Sequence, residues 1–152
     1  MEESTVRHEH ATAGRSDAGR KRALVAARTA EENRGRDIVV LDMRELTPIF
    51  DYFVLATGTS RRQLHAMSEE IDHALEEGLG DRRLGIEGYD ESRWILLDYG
   101  DVVIHLFEPE TREYYAIEQL WGRAKRVPFE PQQPDAGEEM PNARSESNIE
   151  YR

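Results

Sequence analysis

The stretch that decides the fold is WILLDYGDVVIHLF, residues 94–107. Two apolar runs, 94–97 and 102–107, are separated by Asp98, Tyr99, Gly100 and Asp101, and the predicted strands are 94–98 and 102–107. Aliphatic and β-branched runs bounded by Asp and Gly are typical of strands, and so short a separation predicts an antiparallel hairpin with a tight turn.

The hairpin carries two carboxylates, Asp98 and Asp101. A metal-binding pair within one strand would be spaced Asp-x-Asp, because side chains at i and i+2 share a face. These two flank a turn, and Asp favours turns by bonding its own backbone. The spacing therefore predicts a turn rather than a catalytic pair, although Asp98 can still face a partner.

Further strands and helices are predicted on both sides of the hairpin. The β-branched runs 37–43 and 52–57 are predicted strands, joined by an irregular connection at Pro48. An alanine-rich helix is predicted to begin at Ser16 or Asp17 and to end at Gly35. Residues 84–88 (LGIEG) are predicted to be a loop.

A second helix follows the glycine turn at residues 58–60 (GTS). Ser60 and Gln63 form a capping-box pattern, and Gly78 is expected to end the helix. Its apolar face is formed by Leu64, Met67, Ile71 and Leu75. An anion site at this helix start is the alternative, but no phosphate-loop motif is present, so an ordinary capped helix is favoured.

Histidine and aromatic residues give the remaining candidates. His105 lies within an apolar strand, where a hydrogen-bonded core or rim histidine is expected rather than a base or metal ligand. No histidine spacing matches a zinc site, so no metal is predicted. Tyr114, Ile117 and Trp121 recur at helical spacing and should close the core. Trp94 can either cover the sheet edge or anchor a partner.

Composition divides the 152 residues into three segments. Residues 1–17 and 128–152 are polar, without periodic apolar residues, and are expected to be disordered. Residues 18–127 are expected to form a single α/β domain with one β-sheet and helices packed on it.

Charge and cysteine content exclude several classes of function. The formal net charge of -11 opposes direct nucleic-acid binding and suits a basic partner. The absence of cysteine excludes disulfides and thiolate metal sites. No apolar run reaches the ~18 residues of a membrane span, so a cytoplasmic protein is expected.

Five stretches in this order resemble the ribosomal silencing factor family, also called the Iojap family. They are DIVVLDM (37–43), DYFVLATGTSRRQL (51–64), GIEG (85–88), WILLDYGDVVIHLF (94–107) and REYYAIEQLW (112–121). Together they span the predicted domain. The resemblance implies a mixed β-sheet with helices packed on it, in a fold related to the nucleotidyltransferases but without their catalytic carboxylates. It also implies that the protein has no enzymatic activity and no cofactor.

The resemblance also implies a function. Such a protein binds ribosomal protein uL-fourteen on the large ribosomal subunit, with little direct RNA contact. At this intersubunit position it sterically blocks association of the subunits and represses translation.

The implied contact surface falls on Trp94 as the apolar anchor, on Glu87 and Gly88 of the GIEG stretch, on Asp98, and on Tyr99 at the rim. For Glu87 the alternative is a solvated loop acid, and for Tyr99 it is a residue that packs in the turn. Two rival functions remain open. One is a divergent nucleotidyltransferase-like enzyme that uses residues 58–60 as a phosphate turn, and the other is a homodimeric scaffold, since members of the family self-associate when free.

Overall fold

A mixed six-stranded sheet with helices packed on it forms the centre of the protein. The computed structural model describes the backbone of residues 2–129 and the side chains from Asp17 onward. The elements in chain order are α1 (Glu2–Glu32), β1 (Arg36–Asp42), β2 (Tyr52–Thr57), α2 (Arg61–Leu79), β3 (Gly85–Glu87), β4 (Trp94–Asp98), β5 (Val102–Phe107), α3 (Pro109–Tyr115), α4 (Ile117–Leu120) and β6 (Lys125–Arg126). The strand order is β3-β4-β5-β2-β1-β6. Among the described strands only β2 and β5 pair in parallel, and the predicted α/β class with a mixed sheet is confirmed.

The predicted hairpin is present with the predicted strand bounds. β4 and β5 pair antiparallel from Trp94 opposite Phe107 to Asp98 opposite Val103. The Asp98 Oδ1 atom accepts a hydrogen bond of 2.8 Å from the backbone N–H of Gly100. Asp98 therefore stabilises its own turn, as an aspartate at the start of a turn commonly does.

One face of the sheet is covered by α1 and α2. The α2 face predicted from the sequence is buried, with Leu64 and Met67 at most 1% exposed. Alternate strand residues such as Val54 and Ile104 meet this face, because side chains along a strand alternate between its two faces. Each fully buried aliphatic side chain of this kind contributes about 1.5–3 kcal/mol to folding.

The other face of the sheet carries a second apolar cluster, which we call the aromatic face. Its buried members are Leu41, Met43, Phe53, Leu55, Val103 and Phe107. Trp94, Leu96, Ile117 and Trp121 are partly buried against it. The short helices α3 and α4 cover only part of this face, so its β3–β4 edge remains open.

An arginine joins the helical layer to the hairpin turn. Arg22 of α1 donates to both carboxylate oxygens of Asp81, at 2.6 and 2.9 Å, and to Asp101 at 2.5 Å. Opposite charges at this distance raise the pKa of Arg22, with the bond to Asp81 as the main cause. Asp101 is thus an ion-pair partner of α1 and does not pair with Asp98.

The capping residues at both ends of α2 differ in part from the prediction. Ser60 caps the helix as predicted, since its Oγ accepts from the Gln63 N–H at 3.1 Å. The Gln63 amide oxygen accepts a hydrogen bond from the Thr59 N–H. The Gln63 amide nitrogen donates to the carbonyl oxygen of Arg34, which lies in the turn after α1. The helix ends at Leu79 with Gly80 in the left-handed conformation, so the predicted end at Gly78 is wrong.

The bounds of α1 also differ from the prediction. It ends at Glu32, and Arg34, rather than Gly35, adopts positive φ there. Its backbone is helical from Glu2, so the helix begins before the predicted cap at Ser16 or Asp17. The disorder assigned to residues 1–17 and the predicted domain bounds stay predictions. Phe129 packs on the core beyond the predicted bound, and the rest of the predicted tail, from residue 130, lies outside the described residues.

Two further sequence predictions are corrected. The predicted loop 84–88 contains the edge strand β3, which pairs with β4 through Ile86 opposite Leu97. The predicted last helix is divided at Ala116, whose φ of 45° is incompatible with a continuous helix. Tyr114, two residues before this break, is 82% exposed rather than buried in the core, whereas Ile117 packs on the aromatic face as predicted.

Candidate protein-binding surface

An open groove of about 670 Å³ lies where the β3–β4 edge meets α3. We call it the edge groove. Its lining residues come from β3, β4 and α3 and from the segments that join them: Glu87, Gly88, Glu91, Arg93, Trp94, Leu96, Glu108, Glu110, Thr111, Tyr114 and Tyr115. The groove brings together residues that lie far apart in the sequence, because β4 is bordered on one side by β3 and on the other by the strand that leads into α3.

Trp94 forms the apolar wall of the groove. Its ring packs against Phe107 with centroids 5.0 Å apart and against Tyr115 at 4.9 Å. It is only partly buried, and Tyr114 packs edge-on against Tyr115 at 5.0 Å. The groove therefore has a continuous aromatic wall of three rings. Aromatic side chains of this kind are enriched at the energetic centres of protein interfaces.

A hydrogen bond fixes the indole of Trp94. Its Nε1–H donates to the Nδ1 atom of His105 at 3.1 Å. His105 is 5% exposed, and burial lowers its pKa to about 4, so the ring is neutral at neutral pH. The prediction of a hydrogen-bonded core histidine is confirmed for Nδ1, whereas Nε2 is buried without a partner.

The rim of the groove is acidic. It carries Glu87, Glu91, Glu108 and Glu110 against the single cation Arg93, which gives a formal charge of -3. A concave surface with one sign of charge attracts partners of the opposite sign. An aromatic wall with an acidic rim is therefore suited to a protein partner that presents basic side chains around an apolar residue.

Three of the five predicted contact residues meet in the groove. Trp94, Glu87 and Gly88 all line it. Gly88 adopts a φ of 75°, and a Cβ atom there would lie 2.0 Å from the carbonyl oxygen of Trp94. Only glycine allows the backbone after β3 to approach β4 so closely, and this approach places Glu87 beside Trp94.

The other two predicted residues do not lie in the groove. Asp98 is at the opposite end of β4 and bonds its own turn. Tyr99 is 7% exposed, and its hydroxyl donates to Asp72 of α2 at 2.8 Å. Burial, followed by that hydrogen bond, raises the pKa of Tyr99. The alternative in which Tyr99 packs in the turn agrees with this placement, and its contact role stays a prediction.

Tyr114 and Tyr115 are the residues that sequence reasoning did not assign to the surface. Helical spacing placed Tyr114 in the core, but Ala116 ends α3 immediately afterwards. The sequence carries no local signal for this break, because alanine favours helix interiors.

The turn at residues 58–60, which the rival enzymatic function would use to hold phosphate, has a structural role. A Cβ on Gly58 would lie 2.8 Å from the Leu64 side chain, so the 58–60 turn is packed closely against α2. Among the described residues no group of three or more His, Asp or Glu side chains could hold a metal ion. Nor does any helix in that part of the chain have the length and apolar character to cross a bilayer.

A serine–histidine contact exists on the other side of the β3–β4 connection. Ser92 Oγ lies 2.6 Å from His65 Nε2, and both atoms lie 2.8 Å from the carbonyl oxygen of Tyr89. A carbonyl only accepts, so the His65 nitrogen and the Ser92 hydroxyl donate toward it. His65 Nε2 then has no lone pair free to remove the serine proton, and the contact holds the loop rather than activating a nucleophile.

Comparison with known proteins decides the family. The family model described as ribosomal silencing factor during starvation matches residues 16–151. The chain belongs to the ribosomal silencing factor family. It is 43% identical over 101 residues to the ribosomal silencing factor of Bacillus subtilis, a match that covers 66% of this chain and 84% of that protein.

Two further proteins are similar to this chain. The mouse protein named mitochondrial assembly of ribosomal large subunit protein 1 is 40% identical over 92 residues, which cover 59% of this chain and 40% of that protein. A crystal structure of a Chromobacterium violaceum protein superposes with a TM-score of 0.66 at 36% identity, over 78% of this chain and 95% of that one. The fold described above is therefore the fold of ribosomal silencing factors.

Proposed function

We propose that this protein binds the large ribosomal subunit through ribosomal protein uL-fourteen, and that it does so with the edge groove. Bound at the intersubunit face, it sterically blocks association of the small and large subunits and so represses translation in the cytoplasm. Membership of the ribosomal silencing factor family supports this proposal, as does the mouse relative, whose name refers to the large ribosomal subunit.

The observation that carries the proposal is the aromatic wall of the edge groove. Tyr114 is 82% exposed and Tyr115 is 51% exposed, next to a partly buried Trp94. Three adjacent aromatic rings at a protein surface are a typical centre for a binding interface, because their burial removes much apolar area from water at little cost in side-chain entropy.

The acidic rim supports the choice of a basic protein over bare RNA. Four glutamates surround the aromatic wall, and they would repel a phosphate backbone. The same charges steer a basic surface toward the groove and so raise its association rate. Silencing in this form requires occupation of a surface and no chemical step.

Sedimentation of ribosomal subunits from the source organism tests the proposal. Tyr114→Glu places a charge on the aromatic wall at a site too exposed to affect the core. Ile49→Glu is the matched control, since Ile49 is 69% exposed and precedes β2, at the sheet end opposite Trp94 and Phe107. The wild type and the control should sediment with the large subunit and reduce joined ribosomes.

Tyr114→Glu should lose at least about tenfold in affinity for the large subunit, because a hot-spot substitution commonly costs 2 kcal/mol or more. A wild type that stays at the top of the gradient would refute the proposal. Light scattering on the same samples reports self-association, and a dimer that persists in the presence of ribosomal protein uL-fourteen would favour the scaffold function instead.

A further inference from the structure

The Nε2 atom of His105 is the buried side-chain nitrogen that lacks a hydrogen-bond partner within residues 17–129. Buried polar atoms are nearly always paired, so an exception calls for a physical explanation. His105 lies on β5 directly opposite Leu96 of β4, beneath the edge groove. Its environment is aromatic, with Phe53 edge-on at 4.8 Å and Phe107 stacked at 6.0 Å.

The tautomer of His105 follows from its one hydrogen bond. An indole N–H can only donate, so the Nδ1 atom that receives it from Trp94 must carry a lone pair. In a neutral imidazole the proton then resides on Nε2. This N–H points into the aromatic face without an acceptor, which is unfavourable for folding.

An apolar residue at position 105 would avoid this unfavourable group. A phenylalanine ring would keep the contacts with Phe53 and Phe107, because the site already surrounds a flat ring. What a phenylalanine would lack is the acceptor for the Trp94 indole. The histidine therefore contributes one interaction that packing alone does not supply, namely a fixed orientation of Trp94.

We infer that His105 is a positioning residue that holds the indole of Trp94 in the orientation in which it forms the wall of the edge groove. Trp94 contacts Tyr115 on its groove side, so its orientation also sets the position of the neighbouring tyrosine ring. A ring held in place before binding loses less conformational freedom when the partner arrives, which strengthens binding. This inference rests on the proposed function for its effect on affinity, and on the free protein alone for the orientation itself.

Nitrogen NMR of the free wild-type protein gives the first test. At neutral pH we expect His105 to carry its proton on Nε2, and we expect the Trp94 indole N–H to exchange slowly with solvent. The two indole signals are assigned with Trp121→Phe, since the chain contains two tryptophans. A proton on Nδ1 of His105 would overturn the inference without any further variant.

Two substitutions separate positioning from packing. His105→Phe keeps the ring and removes the acceptor, whereas His105→Asn keeps an acceptor near the position of Nδ1 and removes much of the ring. We expect His105→Phe to be at least as thermostable as the wild type, with a shifted and faster-exchanging indole N–H. Its affinity for the large subunit should fall about tenfold, the size expected for the loss of one hydrogen bond that orders the anchor.

The asparagine variant should show the reverse pattern. We expect it to be less thermostable than the wild type but to retain slow indole exchange and an affinity within about threefold of it. Unchanged indole exchange and unchanged affinity in His105→Phe would refute the positioning role. If the wild type itself fails to bind the large subunit, the proposed function fails, and the exchange rates in the free protein still decide whether His105 holds Trp94.

Discussion

Acidification should destabilise this protein through His105, and the size of the effect follows from its burial. The ordinary imidazole pKa of 6.5 falls to about 4 in the folded protein because burial disfavours the charged ring. Each pH unit between these two pKa values corresponds to about 1.4 kcal/mol, so His105 makes the free energy of unfolding about 3 kcal/mol smaller at low pH than at neutral pH. His105 is 5% exposed, so screening by solvent reduces this figure little.

The sign follows from the lowered pKa. Above pH 6.5 the imidazole is neutral in both the folded and the unfolded chain, and this part of the stability is fully present. Between pH 6.5 and about 4 only the unfolded chain takes up the proton, so the stability falls as the pH falls. Below about 4 both states are protonated and the loss is complete.

Urea unfolding of the wild type and of His105→Phe, followed by circular dichroism from pH 7 to pH 4, measures this contribution. Carboxylates titrate in both proteins and largely cancel in the difference between them. We expect the free energy of unfolding of the wild type to fall by about 3 kcal/mol more than that of the variant across this range. Parallel pH profiles for the two proteins would refute the reasoning and would mean that His105 is hydrated or paired in solution.

Two further predictions concern Gly88 in the edge groove and the ion pairs of Arg22 at the hairpin turn. Gly88→Ala should lower the free energy of unfolding by about 2–4 kcal/mol, because its Cβ would lie 2.0 Å from the Trp94 carbonyl oxygen at a φ of 75°. Thermal unfolding measures this change. The matched control is Gly78→Ala, which has nothing within 4 Å of its Cβ and should raise the free energy of unfolding by about 0.5–1 kcal/mol. Arg22→Met should lower the free energy of unfolding by about 2 kcal/mol, as measured by urea unfolding, because Asp81 and Asp101 lose their shared partner. Both carboxylates are partly exposed, so solvent keeps the loss below that of a fully buried ion pair. A cost that is unchanged in an Asp81→Asn background would show that the Arg22–Asp81 pair is not coupled.

Local signals were sufficient for most elements of the sheet. The bounds of β2, β4 and β5 match the prediction because each is an apolar run limited by a turn residue, and such runs depend little on distant contacts. Helix α2 was predicted through its cap at Ser60 and its apolar face for the same reason. The edge strand β3 was missed, because three residues with glycine at one end carry little strand signal until β4 is there to pair with them.

The candidate surface was predictable only in part. Trp94, Glu87 and Gly88 were identified through the family resemblance, and the structure brings them together. Tyr114 was assigned to the core and is exposed instead, and the break at Ala116 was missed because it depends on a backbone conformation that alanine rarely adopts. Tyr114 lines the groove instead.

The sequence by itself determined the four longer strands, the capped helix, the turn at Asp98 and the family, since each depends on neighbouring residues or on a pattern that spans the domain. Only the tertiary structure decided which side chains meet. It joins Trp94 to His105 across two strands, and it separates Asp98 from Asp101 by giving each a different partner. The physical reason is that a hydrogen bond or an aromatic contact depends on distances of a few ångströms between elements, and these distances are set by strand register and helix packing rather than by spacing along the chain.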